Sequence, residues 1–108
     1  MKRVIIESPY RRDVGLYTAY ARRCMLDSLR RGEAPFLSHL LYTQVLPEEG
    51  ESRTHGIGAG LAWVCVAELT VVYADHGVSE GMRIGIDHAK EHGHPIEYRY
   101  LDLKGTAP

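Results

Sequence analysis

Hydrophobic and polar positions follow different periods along the chain, and the changes of period mark its elements. Val4, Ile5 and Ile6 stand in succession, the pattern of a short strand over Arg3 to Glu7 buried on both faces, and Ser8-Pro9-Tyr10 ends it. From Asp13 to Arg31 the residues Tyr17, Tyr20, Ala21, Cys24, Ser28 and Leu29 recur at helical spacing. Asp13 is placed to cap this helix and Gly32, after two arginines, to stop it. Glu33 to Ser38 suits a brief edge strand, where Pro35 is tolerated. His39 to Leu46 is ambiguous in period. Pro47 to Arg53 is polar, with three acidic residues, and reads as a surface loop or lid. Thr54 to Glu68 turns helical again, with Ile57, Leu61, Val64 and Cys65 inward, and leads into an apolar strand from Leu69 to Ala74. After a turn at Asp75 to Gly77, Ser79 can cap a third helix whose inner face holds Met82, Ile86 and Ala89; Gly93 and Pro95 end it. Pro95 to Leu101 sets Ile96, Tyr98 and Tyr100 against Glu97 and Arg99, a half-buried strand.

The order β-α-β-α-β-α-β, with short connections and right-handed crossovers, predicts a flavodoxin-like (Rossmann-like) three-layer α/β/α fold with a four-stranded parallel sheet ordered 2-1-3-4. A single domain is expected over residues 1–101, with 102–108 a loose tail. The switch point of such a sheet lies between the first and third strands. Their carboxyl ends bring Ser8-Pro9-Tyr10 and Asp75-His76-Gly77 to one crevice.

Composition narrows the function classes. The chain has 108 residues, 44% hydrophobic and 25% charged, with a net charge of -1. That suits one ordinary globular domain and gives no general attraction to nucleic acid or to an anionic membrane. No apolar run is long enough for a membrane span, and Met1-Lys2-Arg3 leads into too few apolar residues for a secretory signal, so a cytoplasmic location is expected. Cys24 and Cys65 fall on apolar helical positions and read as buried free thiols.

The crevice supplies the candidate chemistry. Asp75, at the end of an apolar strand, can accept from a sugar hydroxyl or serve as acid or base, and equally can accept from turn amides. Ser79 stands at a helix start, where it caps and can also help hold an anionic group. Gly77 and Gly81 permit close backbone approach. Arg11 and Arg12 lie beside the crevice and can pair with phosphate. Tyr10, Tyr17, Tyr20 and Tyr42 offer either aromatic faces or core packing, and His39 sits near a strand end. Gly85 costs its helix roughly 1 kcal/mol relative to alanine, for which close packing of a neighbouring element or a ligand must compensate. Gly56-Ile-Gly-Ala-Gly60 lacks the full dinucleotide-binding spacing and no strand precedes it, so these glycines are read as letting a helix pack closely. His88 and His92 share a helix face, which supports no more than an adventitious metal; neither a metal nor a cofactor is expected.

Val4-Ile-Ile-Glu-Ser-Pro-Tyr10, Ala34-Pro-Phe-Leu-Ser-His-Leu-Leu-Tyr-Thr-Gln44 and Val78-Ser-Glu-Gly-Met-Arg-Ile-Gly-Ile-Asp-His-Ala89 together resemble the nucleoside 2-deoxyribosyltransferase-like group, which includes small phage and prophage members. The resemblance implies a flavodoxin-like fold, oligomers, and a pocket for a nucleoside- or nucleotide-like ligand. Ser8, Pro9, Tyr10, Arg11, Arg12, His39, Asp75, Gly77, Ser79, Gly81 and Met82 are the candidate binding residues. Members of that group cleave N-glycosidic bonds through a glutamate on the helix after the third strand, and Gly85 stands at the matching position here. The leading expectation is therefore a module that binds or sequesters a nucleoside- or nucleotide-derived molecule. The competing expectations are an N-glycosidic-bond hydrolase or transferase using Asp75 or Glu80, and an oligomeric scaffold with a vestigial pocket. Self-association is expected from the poorly covered Ala59, Ala62 and Trp63.

Overall fold

The apolar run at the amino end forms β1 (Arg3–Glu7), and the computed structural model, which describes residues 1–102, places it at the centre of a parallel sheet. β1 is followed by α1 (Val14–Arg30), β2 (Ala34–Phe36), α2 (Ser38–Leu41), α3 (Gly50–Leu61), β3 (Leu69–Tyr73), α4 (Glu80–Glu91) and β4 (Ile96–Arg99). β1 pairs with β2 on one side and β3 on the other, β3 pairs with β4, and all pairings are parallel, giving the expected order β2-β1-β3-β4. Of the expected tail, residues 103–108 lie outside the described residues.

The pleat divides the core between two faces. Val4 and Ile6 of β1 and Val71 and Tyr73 of β3 pack on Tyr20, Ala21 and Cys24 of α1, whereas Val72 meets Met82 and Ile86 of α4 on the opposite face. Each such large side chain taken out of water contributes about 1.5–3 kcal/mol. The caps fall where the sequence puts them: Asp13 accepts from the Leu16 amide at 3.1 Å, and Ser79 from the Met82 amide at 3.2 Å. Gly32 and Gly93, both at positive φ, follow the helices they end. Gly60 lets α3 lie against α2, since a Cβ there would be 2.6 Å from Ser38 Oγ.

Four expectations are corrected. The segment expected as a polar loop from Pro47 to Arg53 becomes helical at Gly50, and Ser52, Arg53, Gly56 and Ile57 of that helix line a cavity. The same helix stops at Leu61, and a 3-10 turn over Val64–Val66 replaces its expected continuation to Glu68. That change of winding leaves Val64 buried but turns Cys65 outward, so only Cys24 is a buried thiol. On α1, Leu29 is exposed, past the end of the stripe that faces the sheet.

The fourth correction concerns β4, where the expected inward and outward positions are largely exchanged. Tyr98 and Tyr100 are nearly half exposed, whereas Arg99 is buried. Its guanidinium meets Glu33 through two parallel bonds of 2.8 and 2.7 Å, and also reaches Glu97 and Tyr73. A fork paired on this many oxygens can be buried, and α4 covers only the Ile96 end of the other face. The bonds to Glu33 hold Arg99 well above its ordinary pKa and, reciprocally, hold the Glu33 carboxyl below its own.

Candidate functional site

A cavity of about 790 Å³ opens at the carboxyl ends of β1 and β3, between α4 on one side and α2 and α3 on the other. Its size and mixed polar and apolar lining suit a small polar ligand. Nine of the residues expected to bind a ligand line it: Ser8, Pro9, Tyr10, Arg11, Arg12, His39, Ser79, Gly81 and Met82. Tyr17, Tyr42, His76 and Glu80 line it as well.

Asp75 and Gly77 do not line it. The Asp75 carboxylate accepts from the Tyr20 hydroxyl, from the Leu101 amide at 2.9 Å and from the Asp102 amide at 2.9 Å, so it fastens the chain after β4 to the end of β3. Burial alone would raise its pKa, but these donors outweigh that and hold it below the ordinary carboxylate range. The donors are a core phenol and two amides after β4, not the amides of the turn that Asp75 opens. Gly77 supplies the positive φ of the following turn. Tyr20 belongs to the core, and its phenol is raised by burial and by its bond to Asp75.

The carboxyl group that does enter the cavity is one the sequence reading passed over. Glu7 ends β1 on the same face of the strand as Ile5, opposite Val4 and Ile6, and this points it toward α4. There it lies directly against Gly85: a Cβ on that glycine would be 2.5 Å from Glu7 Cδ. The helix carries glycine where the resemblance expects a glutamate, and a glutamate from the adjoining strand fills the space. Among the described residues the Glu7 carboxyl makes no hydrogen bond and no ion pair. Burial without a partner pushes its pKa up from 4.5 to about 8, so at neutral pH it is mostly protonated. The signal in the sequence was the paired anomaly of an ionisable residue closing a doubly buried strand and a glycine inside an amphipathic helix.

Other groups are arranged around this acid. Ser8 Oγ and His39 Nε2 are 2.7 Å apart, and burial pushes the imidazole from 6.5 down to about 4, leaving it neutral. A neutral imidazole bonded to a hydroxyl can donate one hydrogen bond and accept another without carrying charge. Tyr10 stands edge-on to His39, and Tyr17 to His76, with centroids 6.3 and 5.5 Å apart. Arg11 and Arg12 are exposed at the rim, with no carboxylate partner among the described residues. Arg53 was expected in a mobile loop but is a residue of α3, with its guanidinium against the first turn of α4. Nothing in the polar stretch from Pro47 to Arg53 marked it as different from its neighbours. Glu80, exposed at the first position of α4, lines the mouth.

Fold and site together define a parallel α/β architecture with a cavity of mixed polarity at its switch point. A model of the domain of unknown function family DUF7768 matches residues 2–99, and the chain belongs to that family. Neither the curated proteins nor the solved structures contain a match to the chain. No helix of the described residues is long and apolar enough to cross a membrane.

Proposed function

We propose that the cavity takes up a nucleoside- or nucleotide-like small molecule and that Glu7 cleaves its N-glycosidic bond. The observation that carries this is the unpartnered Glu7 carboxyl packed on Gly85. The resemblance in sequence asks for a glutamate at that place, and β1 supplies from across the gap what α4 lacks. Expecting the carboxyl on the helix alone led to a binder without chemistry; a carboxyl on the facing strand restores the chemical option.

Protonated at neutral pH, Glu7 suits the role of acid. As the bond between anomeric carbon and base nitrogen breaks, its electron pair leaves with the base, and the Glu7 proton goes to the base. The carboxylate so formed lies beside the positive sugar ring, which it stabilises. Water then adds to the anomeric carbon and its surplus proton returns to Glu7. The neutral Ser8 and His39 pair orients sugar hydroxyls, and Tyr10, Tyr17 and Tyr42 offer faces to the base.

The test is incubation with a panel of nucleosides and nucleotides followed by chromatography for free base. Wild-type protein is expected to release base, and Glu7→Gln to lower the rate by roughly 10²–10⁴-fold, while Asp75→Asn still turns over. No release from any compound would sink the cleavage.

A second reading, recognition or sequestration without turnover, is favoured by the same protonated state, because a neutral carboxyl donates a hydrogen bond and is a poor nucleophile. It predicts that panel members raise the melting temperature of wild-type protein while no base appears.

A further inference from the structure

We infer that the molecule held in this cavity is a nucleoside 5′-monophosphate, that Arg53 grips its phosphate, and that Glu48 occupies the phosphate's place in the ligand-free protein. The inference rests on the nucleotide reading above and narrows it to one substrate class. Its starting point is the unusual setting of Arg53. The side chain is only 17% exposed, yet its one carboxylate contact is a poor one: Nε lies 3.4 Å from Glu48 Oε2. That contact is close enough for attraction but not aligned for a hydrogen bond, and Nε is enclosed without a hydrogen-bond partner among the described residues. Elsewhere in the protein the well-paired arginine looks different, since Arg99 meets Glu33 through two bonds of 2.8 and 2.7 Å. A guanidinium drawn out of water and left half-satisfied is costly, and a tetrahedral, doubly charged phosphate that offers two of its oxygens to the planar fork is a group it fits.

The spacing along α4 tells which oxyanion. Arg53 Nη2 is the atom a Cβ on Gly81 would approach to 3.4 Å, and Glu7 is the group a Cβ on Gly85 would strike. Gly81 and Gly85 are four residues apart, one turn on the same helix face, so the two groups sit about 6 Å apart along the axis. A furanose ring with its exocyclic 5′ carbon spans about this distance from anomeric carbon to phosphate. With the glycosidic bond at Glu7, the 5′ phosphate falls at Arg53, and Arg11 and Arg12 at the rim add positive charge on the approach. Glu48 then acts as an internal competitor that the phosphate must displace.

The experiment compares the dissociation constants of the four 2′-deoxynucleosides with those of their 5′-monophosphates, measured by calorimetry on the full chain carrying Glu7→Gln, so that bound compounds are not consumed. The monophosphates are expected to bind about 10–100-fold more tightly than the nucleosides, as for a phosphate gaining charge-assisted bonds. Arg53→Ala should collapse that ratio toward one, Arg53→Lys should keep part of it, and Glu48→Gln should enlarge it by removing the competitor. The melting temperature of each ligand-free variant checks folding. If Arg53→Ala does not fold, Glu48→Gln decides alone, and an unchanged or smaller ratio overturns the inference. Equal binding of nucleosides and monophosphates by the protein with Arg53 and Glu48 intact would refute the phosphate assignment and leave the nucleoside reading standing. A phosphate preference that survives Arg53→Ala would overturn the role given to Arg53. Binding of neither class would remove both the inference and the reading beneath it.

Discussion

The carboxyl ends of β1 and β3 lie side by side in the sheet and each presents an acid, yet the two acids could hardly be treated more differently. Asp75 is saturated, with a phenol and two backbone amides on its oxygens, and its pKa is held low. Glu7 has no donor among the described residues, faces a cavity, and its pKa stands at about 8. A carboxylate whose lone pairs are taken is a fastener. One whose burial costs energy that no described residue offsets is a candidate functional group. The contrast also explains Gly85: the helix tolerates glycine because the space of a side chain is already occupied by Glu7.

The sharpest way to break this contrast after Glu7→Gln itself is to push on Glu7 without changing it. In Gly85→Ala the new Cβ would land on the carboxyl group. The end of a flexible side chain can swing away, and alanine favours the helix by roughly 1 kcal/mol, so melting temperature is expected to change little. The carboxyl, however, is displaced by more than an ångström-scale tolerance permits, and base release should fall by roughly 10²-fold. Rates measured beside melting curves check this. A Gly85→Ala protein as active as wild type would mean that Glu7 is not the acid.

The opposite pattern is expected at the fastener. Asp75→Asn keeps an acceptor for both Tyr20 and Leu101, which donate to the same oxygen, but turns an amide group toward the Asp102 N–H, so one bond is lost and two donors face each other. The cost should be about 1–3 kcal/mol, and in a domain of this size each kcal/mol lowers the melting temperature by roughly 4–8 °C. Turnover at a temperature where the variant is folded should stay near the wild-type rate. Thermal denaturation with rates at low temperature separates the two effects; an inactive but stable Asp75→Asn would erase the distinction between the acids.

How far the sequence alone reaches follows from the same pair. The strand order was legible because each apolar run is short, continuous and bounded by turn residues, and because parallel connection rules leave few arrangements for four such runs. The crevice was legible for Ser8, Tyr10, Ser79 and Gly81, which sit next to strand ends and a helix cap. Periodicity failed where a residue's neighbour lies far off in the chain. Arg99 is buried by Glu33, which is 66 positions away, and no local pattern announces that pairing. Cys65 left the inward face because a helix changed its winding, which depends on where α3 meets α2. Glu7 was counted as the last residue of a strand, and its role becomes visible only when Gly85 is set against it across the layer.

The smallest effect, and the one that reads Glu7 without any ligand, is the pH dependence of stability. Glu7 titrates at about 8 when folded against 4.5 ordinarily, so the folded protein holds a proton the unfolded chain has lost, and stability falls as pH rises through that interval. His39 works the other way: folded at about 4 against 6.5, it excludes a proton the unfolded chain binds, and stability falls as pH drops below 6.5. Between 4.5 and 6.5 the two slopes oppose and nearly cancel. From 6.5 to 8 Glu7 acts alone among these groups, and one proton over that interval amounts to at most about 2 kcal/mol. Melting temperature is therefore expected to be level in mildly acidic buffer and to decline by several degrees toward pH 8. Glu7→Gln should remove the decline and expose the acid-side fall due to His39, whereas Asp75→Asn, acting on a group already ionised throughout this range, should lower the whole curve without changing its slope. A wild-type profile flat from pH 6.5 to 8 would show that Glu7 is hydrated and ordinary, and the two strand ends would then differ only in what happens to be bonded to them.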